Sequence, residues 1–354
     1  MTLSIRLLFL MLFIAANLQS QNLSDTLIKK IETGRYARVM FYNCENLFDT
    51  YDDSAKRDED FLPEGNHHWN KTKYYDKLNK ISKVITAVGG WRPVELVGLC
   101  EVESRRAVKD LVYNSQLYML EYKYIHKESP DKRGIDVALL YQPKKYKPVK
   151  NKFITIHFPN NPEKFTRDIL YSKGVLHQKD TVHIFVNHWP SRWGGQLQSE
   201  PYRKFTASVL KHVTDSIFKI SPNANIIIIG DFNDEPVNKS LKDVLNAKLS
   251  ADNLKNTNLY NLAYISESFE GSHKHKGDWA KLDQIIVSGN LLKGSNNLKT
   301  DINGYTIFNA AFLLEKDEAY LGIKPFRTYI GFKYHGGYSD HLPVFIDINR
   351  TKDF

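Results

Sequence analysis

Cysteine is almost missing from this chain: Cys44 and Cys100 are the two in 354 residues. They are too few for a stapled framework and lack zinc-ligand spacing, so buried free thiols are the expected state, although export permits a disulfide between them. Long apolar runs are also scarce. The run at residues 7–16, preceded by Arg6 and followed by polar residues, falls short of the roughly 20 residues that a membrane span needs. It reads as a secretory signal peptide at 1–20, with a short leader at 21–35 and no Cys where a lipid would be attached. No later segment is long and apolar enough to cross a bilayer, so the expected location is secreted or periplasmic, without a transmembrane anchor. There is no repeat with a period of 20–50 residues and no Pro/Gly/Ser linker, which leaves one domain, residues 36–350. No Gly-rich phosphate loop occurs, which disfavours an ATPase.

What is present is basic and globular. The chain is 42% hydrophobic and 25% charged, with 49 Lys and Arg against 40 Asp and Glu, a net charge of +9. Removing residues 1–20, whose sole charge is Arg6, lowers this to +8. Such an excess attracts polyanions without choosing among nucleic acid, anionic lipid and sulfated sugar.

Apolar β-rich runs alternate with helical patterns. Strands are expected at 38–42, 94–99, 135–141, 153–157, 182–187, 225–229, 283–287 and 344–348. Helices are expected at 74–88 and 202–218, where apolar residues recur every three or four positions. Four consecutive Ile before Gly230 indicate a strand covered on both faces, hence α/β packing. Residues 50–70, with several acids and the pair His67-His68, read as a polar surface loop. Adjacent side chains on extended backbone diverge, which argues against a metal site there.

Several strands end at once in a polar residue, where ligands of α/β sheets collect. Asn43 and Glu101 each follow such a run and offer oxygen ligands. In Gly230-Asp231-Phe232-Asn233, period two puts Asp231 and Asn233 on one face and turns Phe232 to the other, while Gly230 permits close backbone approach. Asp340-His341 immediately before a buried strand suits metal ligation by the carboxylate and proton transfer or phosphate contact by the imidazole. His188 ends another strand, with Arg192 placed to hold a phosphate oxygen. Asp283 opens a strand from which it can orient an imidazole. Arg133 and Asp136 lie in a turn before a strand. The loop at Trp193-Gly194-Gly195-Gln196, with Arg203, is a candidate substrate loop beside His188, and the stretch from His273 to Trp279 a candidate polyanion contact; each is equally well a structural turn.

The ordered set Asn43, Glu101, His188, Asp231, Asn233, Asp283, Asp340 and His341 resembles the endonuclease/exonuclease/phosphatase superfamily, which includes pancreatic deoxyribonuclease and the abasic-site endonucleases. The resemblance covers residues 36–349, and the Asn46-Leu47-Phe48-Asp49 and Asn187-His188-Trp189-Pro190-Ser191 stretches look like its bacterial secreted branch. It implies a four-layer α/β sandwich, two mixed sheets face to face with helices outside, and a site at one edge between them. It also implies that Asn43, Glu101 and Asp340 bind Mg²⁺ or Mn²⁺, and that Asp231 and Asn233 position the attacking water and a phosphate oxygen. His188 and His341, the latter oriented by Asp283, would contact the scissile phosphate, and Arg133 and Asp136 fall where the family often has a phosphate-contacting or His-supporting residue. The expected activity is metal-dependent phosphodiester hydrolysis. DNA or RNA is the favoured substrate because of the positive charge; the alternatives are a phospholipid, phosphoinositide or small phosphoester hydrolase, and a non-catalytic polyanion-binding protein on the same fold. A monomer with no stable protein partner is expected.

Overall fold

The computed structural model describes residues 36–351. The signal-peptide and leader readings of residues 1–35 lie outside them. From residue 37 onward the chain forms one compact unit, and no helix among the described residues is long and apolar enough to cross a membrane.

Two sheets carry the fold. The first contains β1 (Tyr36–Leu47), β2 (Leu96–Val102), β3 (Lys123–His126), β4 (Asp136–Tyr141), β13 (Leu298–Thr300), β14 (Thr306–Ile307) and β19 (Val344–Arg350), in the order β13-β19-β1-β2-β4-β3 with β14 also on β19. The second runs β5-β6-β7-β8-β12-β9, from β5 (Tyr146–Ile154), β6 (Ile169–Leu176), β7 (Asp180–His188), β8 (Asn225–Asp231), β9 (Leu259–Asn261) and β12 (Asp283–Ser288). Both are mixed: β1 pairs β2 and β7 pairs β8 in parallel, while β2–β4 and β8–β12 are antiparallel. Three ribbons complete the strand set: β10 (His273–His275) with β11 (Asp278–Ala280), β15 (Leu314–Lys316) with β16 (Ile323–Pro325), and β17 (Tyr329–Ile330) with β18 (Lys333–Tyr334).

The run of isoleucines shows how the layers are assigned. Ile227 and Ile229 join the larger core, together with Leu78, Ile81 and Ile85 of α1 (Lys71–Gly89), Ala107 and Leu111 of α2 (Arg105–Tyr113), and residues of the first sheet. Ile226 and Ile228 join a second core with Ala207, Leu210 and Phe218 of α3 (Gln196–Ile220). Alternation along β8 thus sends one face to the opposing sheet and the other to α3, and each buried Ile contributes about 1.5–3 kcal/mol. The layers are helices, sheet, sheet, helix. At Gly98 the sheets approach so closely that a Cβ would lie 2.5 Å from Ile229 Cδ1.

Two strand expectations needed correction. Of the segment 153–157 only Phe153 and Ile154 are strand, the tail of the longer β5, whose middle is exposed and lysine-bearing, and 155–157 are irregular; such an edge strand hides its apolar period behind charges that deter pairing with other chains. Its neighbour β6, with Ser172 and Lys173 at its centre, went unpredicted. The 50–70 segment is mostly irregular, with one short 3₁₀ turn, Glu59–Phe61, but is pinned rather than free: His67 stacks on Phe61 and Phe61 on Phe48, and Trp69 is buried.

Candidate active site

Register brings the polar strand ends together. On the second sheet Asp231 lies beside His188 on one side and Asp283 on the other. On the first, Asn43 lies beside Cys100, one residue before Glu101. Bulges interrupt both ladders here, between Asn43 and Leu47 and between Cys100 and Val102, and Glu101 adopts a left-handed φ of 57°. A bulge re-aims a side chain that strict alternation would send elsewhere, and a left-handed non-glycine residue costs about 1–3 kcal/mol, which surrounding structure must offset. Asn233, at φ 51°, follows the same pattern.

The two sheets then meet through side chains. Asn43 Nδ2 donates to Asp231 Oδ2 at 3.1 Å and to Glu101 Oε1 at 3.4 Å. Its Oδ1 accepts from the Glu45 amide at 2.9 Å, so its nitrogen, not the expected oxygen, faces the carboxylates. His188 Nε2 lies 3.8 Å from Glu101 and 3.7 Å from Asp231. His341 Nδ1 donates to Asp283 Oδ2 at 2.7 Å, leaving Nε2 3.9 Å from Asp231. Asn233 donates its amide to Asp231 Oδ1 and its side chain to the Trp189 carbonyl. Phe232 points away into the α3-facing core, as period two required. A Cβ on Gly230 would come within 2.6 Å of the Asn187 carbonyl oxygen, so close approach does demand glycine there.

The two imidazoles hold opposite charge states. Burial, with Arg167 and Arg133 nearby, drives the pKa of His188 well below its ordinary value, so it is neutral; its Nδ1 is buried without a partner. Burial also disfavours protonated His341, but Asp283, followed by Asp231 and Asp340, outweighs it and lifts this pKa well above normal. Asp231 is pushed up to about 7, first by burial and, despite His341, by the neighbouring acids Asp283 and Glu101.

Asp340 occupies the other flank. Its Oδ2 meets Arg327 Nη2 at 3.0 Å, and Arg327 Nε reaches buried Glu45 at 3.0 Å. Lys77 of α1 supports the same loop by donating to the Tyr338 carbonyl and Thr328 Oγ1. Burial opposes ionised Asp340, yet His341 and Arg327 hold its carboxyl below the usual range. His273 stacks obliquely on His341 at 4.6 Å and is depressed to about 3 by burial and then by the His341 charge.

Three of the candidate substrate-binding residues have partners within the protein. The Asp136 carboxylate is fully buried and faces His126 at 3.2 Å and the Ser129 amide at 2.7 Å. Arg203 is fully buried and paired with Asp234 at 2.8 Å. Arg192 donates to the Asn233 carbonyl at 2.8 Å and so braces that loop. Arg133 remains half-exposed, 3.6 Å from Asp131. Within the basic stretch, Lys274 is occupied by Asp317 at 2.9 Å. Cys44 and Cys100 are free and buried, their thiols pushed up chiefly by desolvation. Arg167, Arg327 and Lys77 were not anticipated, because a lone basic residue in sequence does not reveal its carboxylate or carbonyl partner.

A cation fits one part of this arrangement. Glu101 and Asp231 share a neutral amide and lie within 3.8 Å of a neutral imidazole; Asp231 also falls in two tighter groups, with His188 and Cys100 and with Asp283 and His341, whose ligand atoms lie within 4.8 Å of one another and which do not include Glu101. Buried carboxylates without local compensation are costly, and hard oxygen donors suit Mg²⁺ or Mn²⁺. Asp340, paired with Arg327, is the less available of the two expected carboxylate ligands.

The chain belongs to the endonuclease/exonuclease/phosphatase family, whose profile matches residues 38–350. Its fold is that of known members. The human Nocturnin catalytic domain, solved with a bound sulfate anion, aligns with TM-score 0.55 at 18% identity over 89% of this chain and 95% of that one. A mannosyl-6-phosphatase from Bacteroides thetaiotaomicron aligns with TM-score 0.55 at 14% identity, over 89% and 100%. A family protein from the same organism gives 0.54 at 15% identity, over 88% and 94%. No curated protein matches the chain by sequence.

Proposed function

We propose that this protein is an exported, divalent-metal-dependent phosphodiester hydrolase acting on nucleic acid. The observation that carries the reading is the meeting of Asn43, Glu101, His188, Asp231, Asp283 and His341 at one edge between the sheets, with an uncompensated carboxylate pair beside a cationic imidazole. Glu101 and Asp231 would hold the ion, with Asn43 after rotation of its amide. The bound ion would polarise a phosphoryl oxygen and lower the charge that attack must overcome.

The remaining chemistry belongs to the chain. Asp283 fixes the His341 ring and keeps it charged, so Nε2–H is a donor aimed into the site, able to neutralise charge on the phosphorane and to pass its proton to the leaving oxygen. His188, neutral, adds a donor without repelling the cation. Asp231, anchored by the Asn233 amide, is placed to orient the attacking water and accept its proton. The basic surface favours nucleic acid over a neutral lipid. Export rests on the apolar run at 7–16.

The test uses bis-p-nitrophenyl phosphate with Mg²⁺ or Mn²⁺. Turnover should vanish in EDTA and fall about 10³-fold in Asp231→Ala and His341→Ala, as expected for losing a group that acts on the transition state. Circular dichroism should show both variants folded; undiminished turnover in either rejects the mechanism.

A further inference from the structure

Next to the candidate active site lies a second cleft, of about 630 Å³, which includes Arg57, Asp131, Arg133, Lys164, Arg167 and Trp193 in its walls. It is joined to the site through Arg167. This buried guanidinium donates to the His188 carbonyl at 3.2 Å and to the Trp189 carbonyl, and reaches Asp131 at 3.3 Å. Arg133 and Arg167 are near enough to His188 to act on its charge state.

The charge of the cleft does not balance. Four cations face one carboxylate, Asp131, which Arg133 and Arg167 already share. Arg57 has no carboxylate partner among the described residues, and Lys164 lies over the Tyr202 ring at 4.3 Å instead. A cluster of like charges around a concave surface favours an anion. The lining also includes Trp193, 90% exposed, immediately before Gly194-Gly195. A large bare ring bordering a cationic cleft suits a ligand that is both planar and anionic, because base–aromatic stacking and phosphate contacts are the two elements of single-strand binding. Leu197 is also exposed, at 79%, but does not line the cleft; the second exposed apolar side chain that does, Phe165, is another aromatic ring, with Lys132 Nζ 5.5 Å over it.

We propose that this cleft binds the nucleotide flanking the scissile phosphate of a single-stranded oligonucleotide, with Arg57, Arg133 and Lys164 on its phosphate and Trp193 stacked on its base. The inference rests on the phosphodiesterase reading for the position of the scissile group, but its test does not require turnover. Binding of a short, fluorescently labelled oligothymidylate is followed by anisotropy in EDTA at fixed salt. Arg57→Ala and Trp193→Ala should each weaken binding about 10-fold, and Arg57→Ala should reduce the slope of log affinity against log salt by about 0.7. Lys150→Ala, on the exposed edge of β5, should leave affinity and slope unchanged. Duplex DNA of equal length should bind more weakly, because its bases are stacked on one another.

Oligothymidylate binding that survives the Arg57→Ala, Trp193→Ala double variant overturns the proposal. So does equal affinity for duplex, or a double variant that loses binding to anionic phosphatidylserine vesicles while keeping the oligonucleotide. Intact, cleft-dependent binding in a protein that hydrolyses no phosphodiester would instead remove the catalytic reading and leave the cleft assignment standing.

Discussion

The two flanks of the site differ in how their charges are balanced. On the Asp340 flank every buried ion has a partner: Arg327 spans Glu45 and Asp340, and Lys77 is fixed by the Tyr338 carbonyl. His341 is balanced by Asp283. On the Glu101–Asp231 flank the carboxylates meet neutral groups, Asn43, His188 and the Asn46 and Asn233 amides, with the His341 Nε2 cation 3.9 Å from Asp231. A paired flank holds shape; an unpaired one stores an electrostatic deficit that a cation or a proton must relieve. The raised pKa of Asp231 is the proton's share of that relief.

The comparison is broken most strongly at Glu101. Glu101→Gln keeps the shape and removes half of the uncompensated charge, so affinity for Mn²⁺, read by titration calorimetry, should fall about 100-fold or more, the scale set by losing metal-site partners. Asp340→Asn should cost less, because Arg327 already occupies that carboxylate; an equal loss would erase the distinction between the flanks.

Asp283→Asn sharpens the other side. His341 loses the charge that keeps it protonated, so its NMR-detected pKa should drop below neutrality and hydrolysis at pH 8 should fall about 100-fold, within the range for a general acid–base group. Unchanged titration of His341 would show that Asp283 does not set its charge. The sign for stability follows from the raised pKa: His341 stabilises below the unfolded value near 6.5, and that contribution is lost as pH rises through the higher folded value.

The smallest effect is expected at Arg327→Ala. Glu45 is left buried without its ion pair, although it still accepts from the Thr328 amide. Because Arg327 is partly exposed, the loss in chemical denaturation should be about 1–3 kcal/mol. A loss below a few tenths would mean that the network does little to hold the Asp340 loop.

Much of this architecture is legible in the sequence. Asp231, Asn233 and Phe232 follow from period two after a buried run, and Asp283 and His341 from polar residues at strand boundaries; the structure brings these together with Asn43, Glu101 and His188. What the sequence concealed was partnership. Asp136 and Arg203 have the residue types of a phosphate site, but the buried side chains of His126 and Asp234 claim them across gaps of 10 and 31 residues. Backbone geometry was hidden for a similar reason: the bulge that turns Glu101 inward has no Gly or Pro to announce it, because the cost of its left-handed φ is offset by the Asn46 amide donating to its carboxylate at 2.9 Å. The strands β5 and β6 were hidden by surface lysines that break the apolar alternation.

The central claim is that the Glu101–Asp231 pair is left uncompensated in order to take a divalent cation. Its most direct test is a calorimetric titration of metal-free protein with Mn²⁺ across pH 5.5–8.5. With Asp231 titrating near 7, affinity should be constant above about pH 7.5 and fall about tenfold per unit below pH 7, with one proton released per ion bound at the acid end. Added Mn²⁺ should therefore raise the unfolding temperature more at pH 8 than at pH 6. Absence of binding at pH 8, or an affinity indifferent to pH and to Glu101→Gln, would contradict the account.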